Sequence, residues 1–424
     1  MLEEIVSWRN IEKALRKVEQ NKGACGVDGM QTDALGDYLH THYTELRASL
    51  LNGTFQPQAV KKVEIPKSDG GKRMLGIPTV IDRLIQQAIS QRLSQLYEID
   101  FSEYSYGFRP NRNAHQAVQQ GQKYLDLGYT YIVELDLAKF FDTVNHDRLM
   151  STLSHRVVDN RVLQLIRKYL RSGIMEGGVV SQRLEGTPQG SPLSPLLSNI
   201  ILDELDRELT HRGHKFVRYA DDISIYLRSN KSANRLLDNL TKYIEEKLRL
   251  KVNRAKSKVS RPTQSSLLGF SYYKTKRGWL IRITKESIKR VKSKIRSKTQ
   301  RSSGTNYEQK LKMIHPLITG WVNYFRLATA SSIMKDMDSF TRTRLRMGIW
   351  KEWKNGKTRI KNLIKLGIPK GKAYEWGHSS KKYCRLAHSP ILCRSLDNKF
   401  FWGKGYVGFS NYYQARTSTQ IPFF

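Results

Sequence analysis

Cysteine is scarce in this sequence: Cys25, Cys384 and Cys393 are the only three among 424 residues. Three thiols so far apart give no disulfide framework and no paired zinc-ligand spacing, so a reducing, cytoplasmic compartment is the expectation. Long apolar runs are missing too. The longest uncharged stretch, residues 186–202, is broken by Pro188, Pro192 and Pro195 and carries Gln189, which excludes a membrane span there. The start, Met1-Leu2-Glu3-Glu4, is acidic and has no apolar segment behind it, so no secretory leader is expected. Repeats and low-complexity tracts are absent. Acid is what the chain lacks most, with 38 Asp and Glu against 73 Lys and Arg and a net charge of +35. Such an imbalance calls for a polyanionic partner, most simply nucleic acid.

The imbalance is uneven. Residues 1–270 carry 39 basic against 31 acidic side chains, whereas residues 271–424 carry 34 against 7. A nearly balanced front and a strongly basic back suggest a catalytic part followed by a binding part. A protein that only coats RNA would share the charge but would need no organised acidic site.

Apolar spacing places a short helix at residues 9–20 and a hairpin through VKKVEIPKSDGGKRMLGIP (60–78). Further helices are expected at residues 79–98, 161–173 and 196–213, and a strand at YIVELDL (131–137). Beyond residue 280 strand signals fade. Segments such as TKESIKRVKSKIRSK read as helices with one apolar and one basic face. Strands with helices between them imply a sheet covered by helices.

Within that frame RYADDISIYL (218–227) sets Asp221 and Asp222 side by side inside an apolar run. Neighbouring residues of a straight strand point to opposite faces, so two strands joined near Ala220-Asp221-Asp222 fit better, with the acids at a hairpin tip. Asp136 ends the apolar strand 131–137, where an unpaired carboxylate would be costly to bury. Each alone reads as an ordinary turn or strand end. Together, three carboxylates at the ends of adjacent strands make an oxygen-rich pocket suited to Mg²⁺, which takes a few carboxylates plus water and substrate phosphates. Two such ions can activate a hydroxyl and stabilise a leaving phosphate oxygen.

The motifs LGIPTVIDRLIQQA (75–88), YGFRPNRNAHQAV (106–118), ELDLAKFFDTVNHDRL (134–149), GTPQGSPLSPLLSNIILDELD (186–206), RYADD (218–222) and LLGF (267–270) follow one another in order. In this series the chain resembles the group II intron-encoded reverse transcriptases, or maturases, over roughly residues 10–325. The resemblance implies an α+β right-hand polymerase, its fingers and palm built on antiparallel sheet covered by helices, followed by a basic all-helical thumb/maturase domain. It implies an N-terminal extension and fingers at 1–125, a palm at 126–270, a thumb/maturase domain at 271–365, and a basic-aromatic DNA-binding tail at 366–424.

The implied metal ligands are Asp136, Asp221 and Asp222, holding two Mg²⁺ ions for which Mn²⁺ could substitute. Lys67 and Arg73 match positions that hold the nucleotide triphosphate, and Gln189 would lie near the nucleotide or templating base. Phe140 matches the family's gate beneath the incoming sugar, where a ring would clash with a 2′-OH; a core aromatic is the alternative. Lys256 matches a lysine placed to protonate leaving pyrophosphate, or it belongs to a solvated basic loop. Leu268, Gly269 and Phe270 resemble the turn that supports the primer end, with core packing as the alternative. ITGWVNYFRLA (318–328) resembles the thumb signature. Lys289, Arg290, Lys292, Lys294 and Arg296 could follow an RNA or DNA backbone.

The implied partners are a group II intron RNA, an RNA template with a DNA primer, target DNA and deoxynucleotides, with no membrane. The implied location is the bacterial cytoplasm, at the nucleoid when acting on DNA. Cys384 and Cys393 do not supply the paired cysteines of the family's endonuclease domain, so the endonuclease-lacking type is expected. The rivals are a non-mobile reverse transcriptase serving defence, repair or diversity generation, and a splicing-only RNA-binding maturase.

Overall fold

Helical periodicity accounts for the first elements of the computed structural model, which describes residues 1–66, 71–176, 179–181, 185–187 and 190–418. The chain divides into two units, residues 1–265 and 266–424.

The first unit opens with α1 (Leu2–Ile5), α2 (Trp8–Asn21) and α3 (Leu35–Leu51). Ile11, Ala14 and Val18 form the buried stripe of α2, which packs on α4 (Val80–Tyr97). Thr79 begins α4 by accepting the backbone N–H of Asp82 at 3.1 Å, a helix cap of the usual kind. Before it, β1 (Val60–Pro66) and β2 (Lys72–Ile77) form the expected hairpin. After it, α5 (Ala114–Asp126) starts at a reciprocal cap between Asn113 and Gln116.

Next come β3 (Tyr131–Leu135), α6 (Phe140–Thr143), α7 (His146–Ser154) and α8 (Asn160–Arg171). In α8 the buried residues Val162, Leu165, Ile166, Tyr169 and Leu170 keep the 3.6-residue period. The short strands β4 (Ile174–Glu176) and β5 (Val179–Ser181) then complete a four-stranded sheet in the order β2-β1-β4-β5. This sheet is mixed: β1 and β4 run parallel, with Val60 opposite Ile174, and the remaining pairs are antiparallel.

The second sheet is wholly antiparallel. It joins β6 (Lys215–Tyr219), β7 (Asp222–Leu227), β3 and β8 (Lys258–Ser260) in the order β6-β7-β3-β8. The helices α9 (Ser194–His211) and α10 (Asn230–Glu246) flank β6 and β7 in the chain. Residues Ile223–Leu227 of β7 are all buried, as befits a strand with neighbours on both sides and helices nearby. Val133, Leu135, Phe216 and Ile225 join Leu202, Leu205 and Leu240 in one continuous core.

The second unit begins with a hairpin that the helical reading of this region did not include: β9 (Phe270–Thr275) and β10 (Gly278–Ile283). Helices follow: α11 (Lys285–Lys298), α12 (Tyr307–Phe325), α13 (Ser331–Glu352), α14 (Gly356–Lys365), α15 (Lys370–Gly377), α16 (Tyr383–Ala387), α17 (Pro390–Ser395), α18 (Asn398–Gly403) and α19 (Phe409–Thr417). Of the tail expected at 366–424, α16 and α19 pack on α13, and α19 also packs on α12. The buried Asp338 of α13 anchors this end: it accepts the hydroxyl of Tyr406 at 2.7 Å and the N–H groups of Phe409 at 2.7 Å and Ser410 at 2.9 Å.

Candidate functional site: an acidic strand end and hairpin tip

The pairing of β3 with β7 determines which carboxylates meet. Leu135 lies opposite Ile223, so one residue further along this antiparallel register Asp136 faces Asp222. Asp221 sits in the turn beside them. The backbone of Asp136 is fixed from the far side: its N–H donates to Ser257 Oγ at 3.1 Å, and its carbonyl accepts the N–H of Asn253 at 2.9 Å. The hairpin forms as expected, with Tyr219 opposite Asp222 and a two-residue loop of Ala220 and Asp221. Ala220 takes φ +57°, the left-handed region that disfavours any residue with a Cβ. Strained backbone of this kind gathers at functional sites.

The same neighbours bear on the charge of Asp222. Burial pushes the carboxyl of Asp222 up to about 6, with Asp221, Asp136 and Glu134 adding to the rise and Lys256 opposing it. Loss of hydration among the packed neighbours and the like charges beside it both disfavour its ionised form. Three of these carboxylates and the lysine are those singled out from the sequence. Glu134 was missed. It stands two residues before Asp136, hence on the same face of β3; it accepts Ser260 Oγ at 2.7 Å and lies 3.7 Å from Lys258. The same-face spacing was the signal that could have found it.

Among the described residues no group of three or more Asp, Glu, His or Cys side chains forms a preformed metal-binding cluster. The donor set nevertheless fits a hard divalent cation that keeps water and brings phosphate oxygens with it. The like charges that raise the proton affinity of Asp222 would be relieved by such a cation.

The other expected residues fall out differently. Lys67 and Gln189 lie outside the described residues. Arg73 is placed on β2 opposite Ile65. Phe140 is 2% exposed, with its ring 5.4 Å from Phe141. Lys256 is exposed, in the loop before β8.

In the second unit, Leu268 and Gly269 form a two-residue turn with φ +55° and +81° between Leu267 and Phe270, which exchange backbone hydrogen bonds of 3.0 and 2.9 Å. Two positive φ values mark the type I′ turn. The Leu268 carbonyl accepts the Tyr324 hydroxyl at 3.0 Å, and the Gly269 carbonyl accepts the Thr284 N–H at 3.0 Å. Phe270 is buried core, whereas Leu268 and Gly269 are partly exposed.

On α11, Ser287, Val291 and Ile295 face inward. Lys289, Arg290, Lys294 and Arg296 are exposed, and Lys292 is half-buried. Lys292 and Arg296 approach the Phe340 ring at 5.5 and 5.9 Å, so part of that charge is also engaged within the unit.

Comparison with known proteins identifies two domains along the chain. The reverse transcriptase (RNA-dependent DNA polymerase) family matches residues 65–272, and the group II intron, maturase-specific domain matches residues 288–367. Protein YkfC of Escherichia coli (strain K12) is 33% identical over 289 residues, which cover 59% of this chain and 76% of that protein. The group II intron-encoded protein LtrA of Lactococcus lactis subsp. cremoris is 36% identical over 206 residues, 48% of this chain and 34% of LtrA. The putative COX1/OXI3 intron 2 protein of Saccharomyces cerevisiae is 26% identical, with 74% of this chain and 47% of that protein covered. The chain thus spans a third of LtrA and about half of the yeast protein. With both matched domains in order on one polypeptide, the chain belongs to the group II intron reverse transcriptase/maturase family.

Proposed function

We propose that this protein is an RNA-directed DNA polymerase that extends a DNA primer on an RNA template. The observation that carries the reading is the meeting of Asp136, Asp221 and Asp222 at one strand end and one hairpin tip, with Lys256 nearby. Asp136 and Asp221 would hold Mg²⁺, or Mn²⁺ in its place, with Asp222 in support; the bound ions supply activation of the primer hydroxyl and neutralisation of phosphate charge. Lys67 and Arg73 would orient the triphosphate, Arg by its planar fork and Lys as a mobile point charge. Lys256 would give a proton to the departing pyrophosphate. Gln189 would position the nucleotide, and Phe140 would reject a 2′-OH. The Leu268-Gly269 turn, held at both carbonyls, would support the primer end.

The maturase-specific domain and the basic face of α11 support a second duty on the same polypeptide: binding the parent intron RNA by backbone and shape, and assisting its splicing. Target-primed copying of that intron into DNA would follow from the two duties together, in the cytoplasm at the nucleoid. No helix of the described residues is long and apolar enough to cross a membrane.

The test is primer extension with Mg²⁺, deoxynucleotides and a DNA primer on RNA, beside Asp221→Asn. Long cDNA from the wild type and a loss of at least about 100-fold in the variant are expected. Tight RNA binding with no cDNA from either would leave the splicing-only reading.

A further inference from the structure

Behind the catalytic turn lies a buried charge pair that the chemistry of nucleotide addition does not itself require. Arg218 on β6 and Asp206 on α9 are both 0% exposed. Arg218 Nε donates to Asp206 Oδ1 at 2.8 Å and Nη2 donates to Oδ2 at 2.5 Å. Its remaining nitrogen, Nη1, donates to Asn199 Oδ1 at 2.9 Å and to the carbonyl of Ala220 at 3.0 Å. Asn199 in turn donates through Nδ2 to the carbonyl of Gly107 at 2.9 Å.

The Gly107 segment closes the other side. Tyr106 N–H donates to the Arg218 carbonyl at 2.8 Å, and Arg218 N–H donates to the Tyr104 carbonyl at 2.9 Å. Residues 104–107 therefore lie along the open edge of β6. At Gly107 a side chain would collide with the backbone of Tyr219 and Ala220. Through its guanidinium and its main chain, Arg218 thus ties together a helix, a loop and the strained residue next to Asp221.

Burying two charges is a poor route to stability, because lost hydration offsets most of the attraction. A planar fork with several donors at fixed angles is a good route to geometry. We infer that Arg218, braced by Asp206 and Asn199, is a positioning residue that holds the Ala220–Asp221 turn in its left-handed conformation, and that it thereby sets the divalent-metal affinity of the carboxylate site. The inference rests on the proposed reading that Asp136 and Asp221 hold the metal.

The test uses the full chain with Mn²⁺ as the probe, read by loss of the free-ion paramagnetic resonance signal without turnover, beside kcat and KM for primer extension. Arg218→Met with Asp206→Leu removes the pair and leaves no lone buried charge. Arg218→Lys keeps a charge for Asp206, but a single ammonium cannot also serve Asn199 and the Ala220 carbonyl with the same geometry. The variants are independent, so misfolding of one leaves the other to decide. With wild-type circular dichroism, each is expected to bind Mn²⁺ about 10- to 100-fold more weakly and to lose kcat by a similar factor, with KM for the template–primer unchanged. Wild-type Mn²⁺ affinity in a folded variant overturns the inference. A wild type that binds Mn²⁺ but extends no primer overturns the polymerase reading alone, since the Mn²⁺ titration still decides on the clamp.

Discussion

Phe140 is pulled two ways. As a gate it must present an edge to the sugar, yet it is 2% exposed and packed on Phe141. Phe140→Ala is therefore expected to destabilise the protein by about 3 kcal/mol and to raise the kcat/KM of ribonucleotides relative to deoxynucleotides by about 10- to 100-fold. Unchanged discrimination with lost stability would leave it a core aromatic. Asp82 carries a second prediction. It is 2% exposed and accepts Thr79 Oγ1 at 2.7 Å and Gln58 N–H at 3.2 Å, and burial pushes its carboxyl from 3.8 up to about 6. The folded state therefore holds this proton more tightly than the unfolded chain does. That stabilisation is complete below about pH 4 and is lost as pH rises through about 6, to the extent of ~3 kcal/mol. Urea midpoints from pH 4 to 7 should fall for the wild type relative to Asp82→Asn; parallel curves would refute this. At this scale the site was readable where chemistry shows in the local string, as in Asp221-Asp222 within an apolar run. Arg218 and Asp206 were not, because two buried charges twelve positions apart look like surface residues until a strand and a helix are packed together.

Glycines divide cleanly by the element that holds them. Gly107 lies against the backbone of Tyr219 and Ala220, so Gly107→Ala should cost about 1–3 kcal/mol through forced backbone shifts and, on the proposed reading of the Asp221 turn, lower kcat with it. Gly320, inside α12, has nothing within 4 Å of an added Cβ, so Gly320→Ala should stabilise the second unit by about 0.5–1 kcal/mol. Thermal melts of the two variants read both signs. The helices were legible because their apolar stripes are long, as in α8. The β9–β10 hairpin escaped notice for a physical reason. Trp279, Ile281 and Ile283 alternate inward, but Lys274, Lys276, Arg277 and Arg282 share the segment, so its charge matches the basic helices that follow. The parallel contact of β1 with β4 was equally hidden, since nothing in either strand names a partner more than a hundred residues away.

At the scale of the whole molecule, the step in charge near residue 270 and the division after Ser265 nearly coincide. A unit with 34 basic side chains against 7 acidic ones in residues 271–424 should bind RNA with a steep salt dependence. Replacing the exposed Lys289, Arg290 and Lys294 by Gln is expected to reduce the slope of log K against log salt by about 2 to 3, evenly across RNA sequences. Filter binding from low to moderate salt measures it; an unchanged slope would take α11 off the RNA path. The sheet β2-β1-β4-β5 has a consequence of its own for the ribosome. Strand β1 is synthesised more than a hundred residues before β4, which pairs with the start of its edge at Val60 and Lys61. At ordinary translation rates that edge waits roughly 6–20 s for its neighbour. Lys61 and Lys62 on the waiting strand are the kind of charge that keeps an uncovered edge from pairing with another chain, so the nascent protein carries its own guard against aggregation until synthesis catches up.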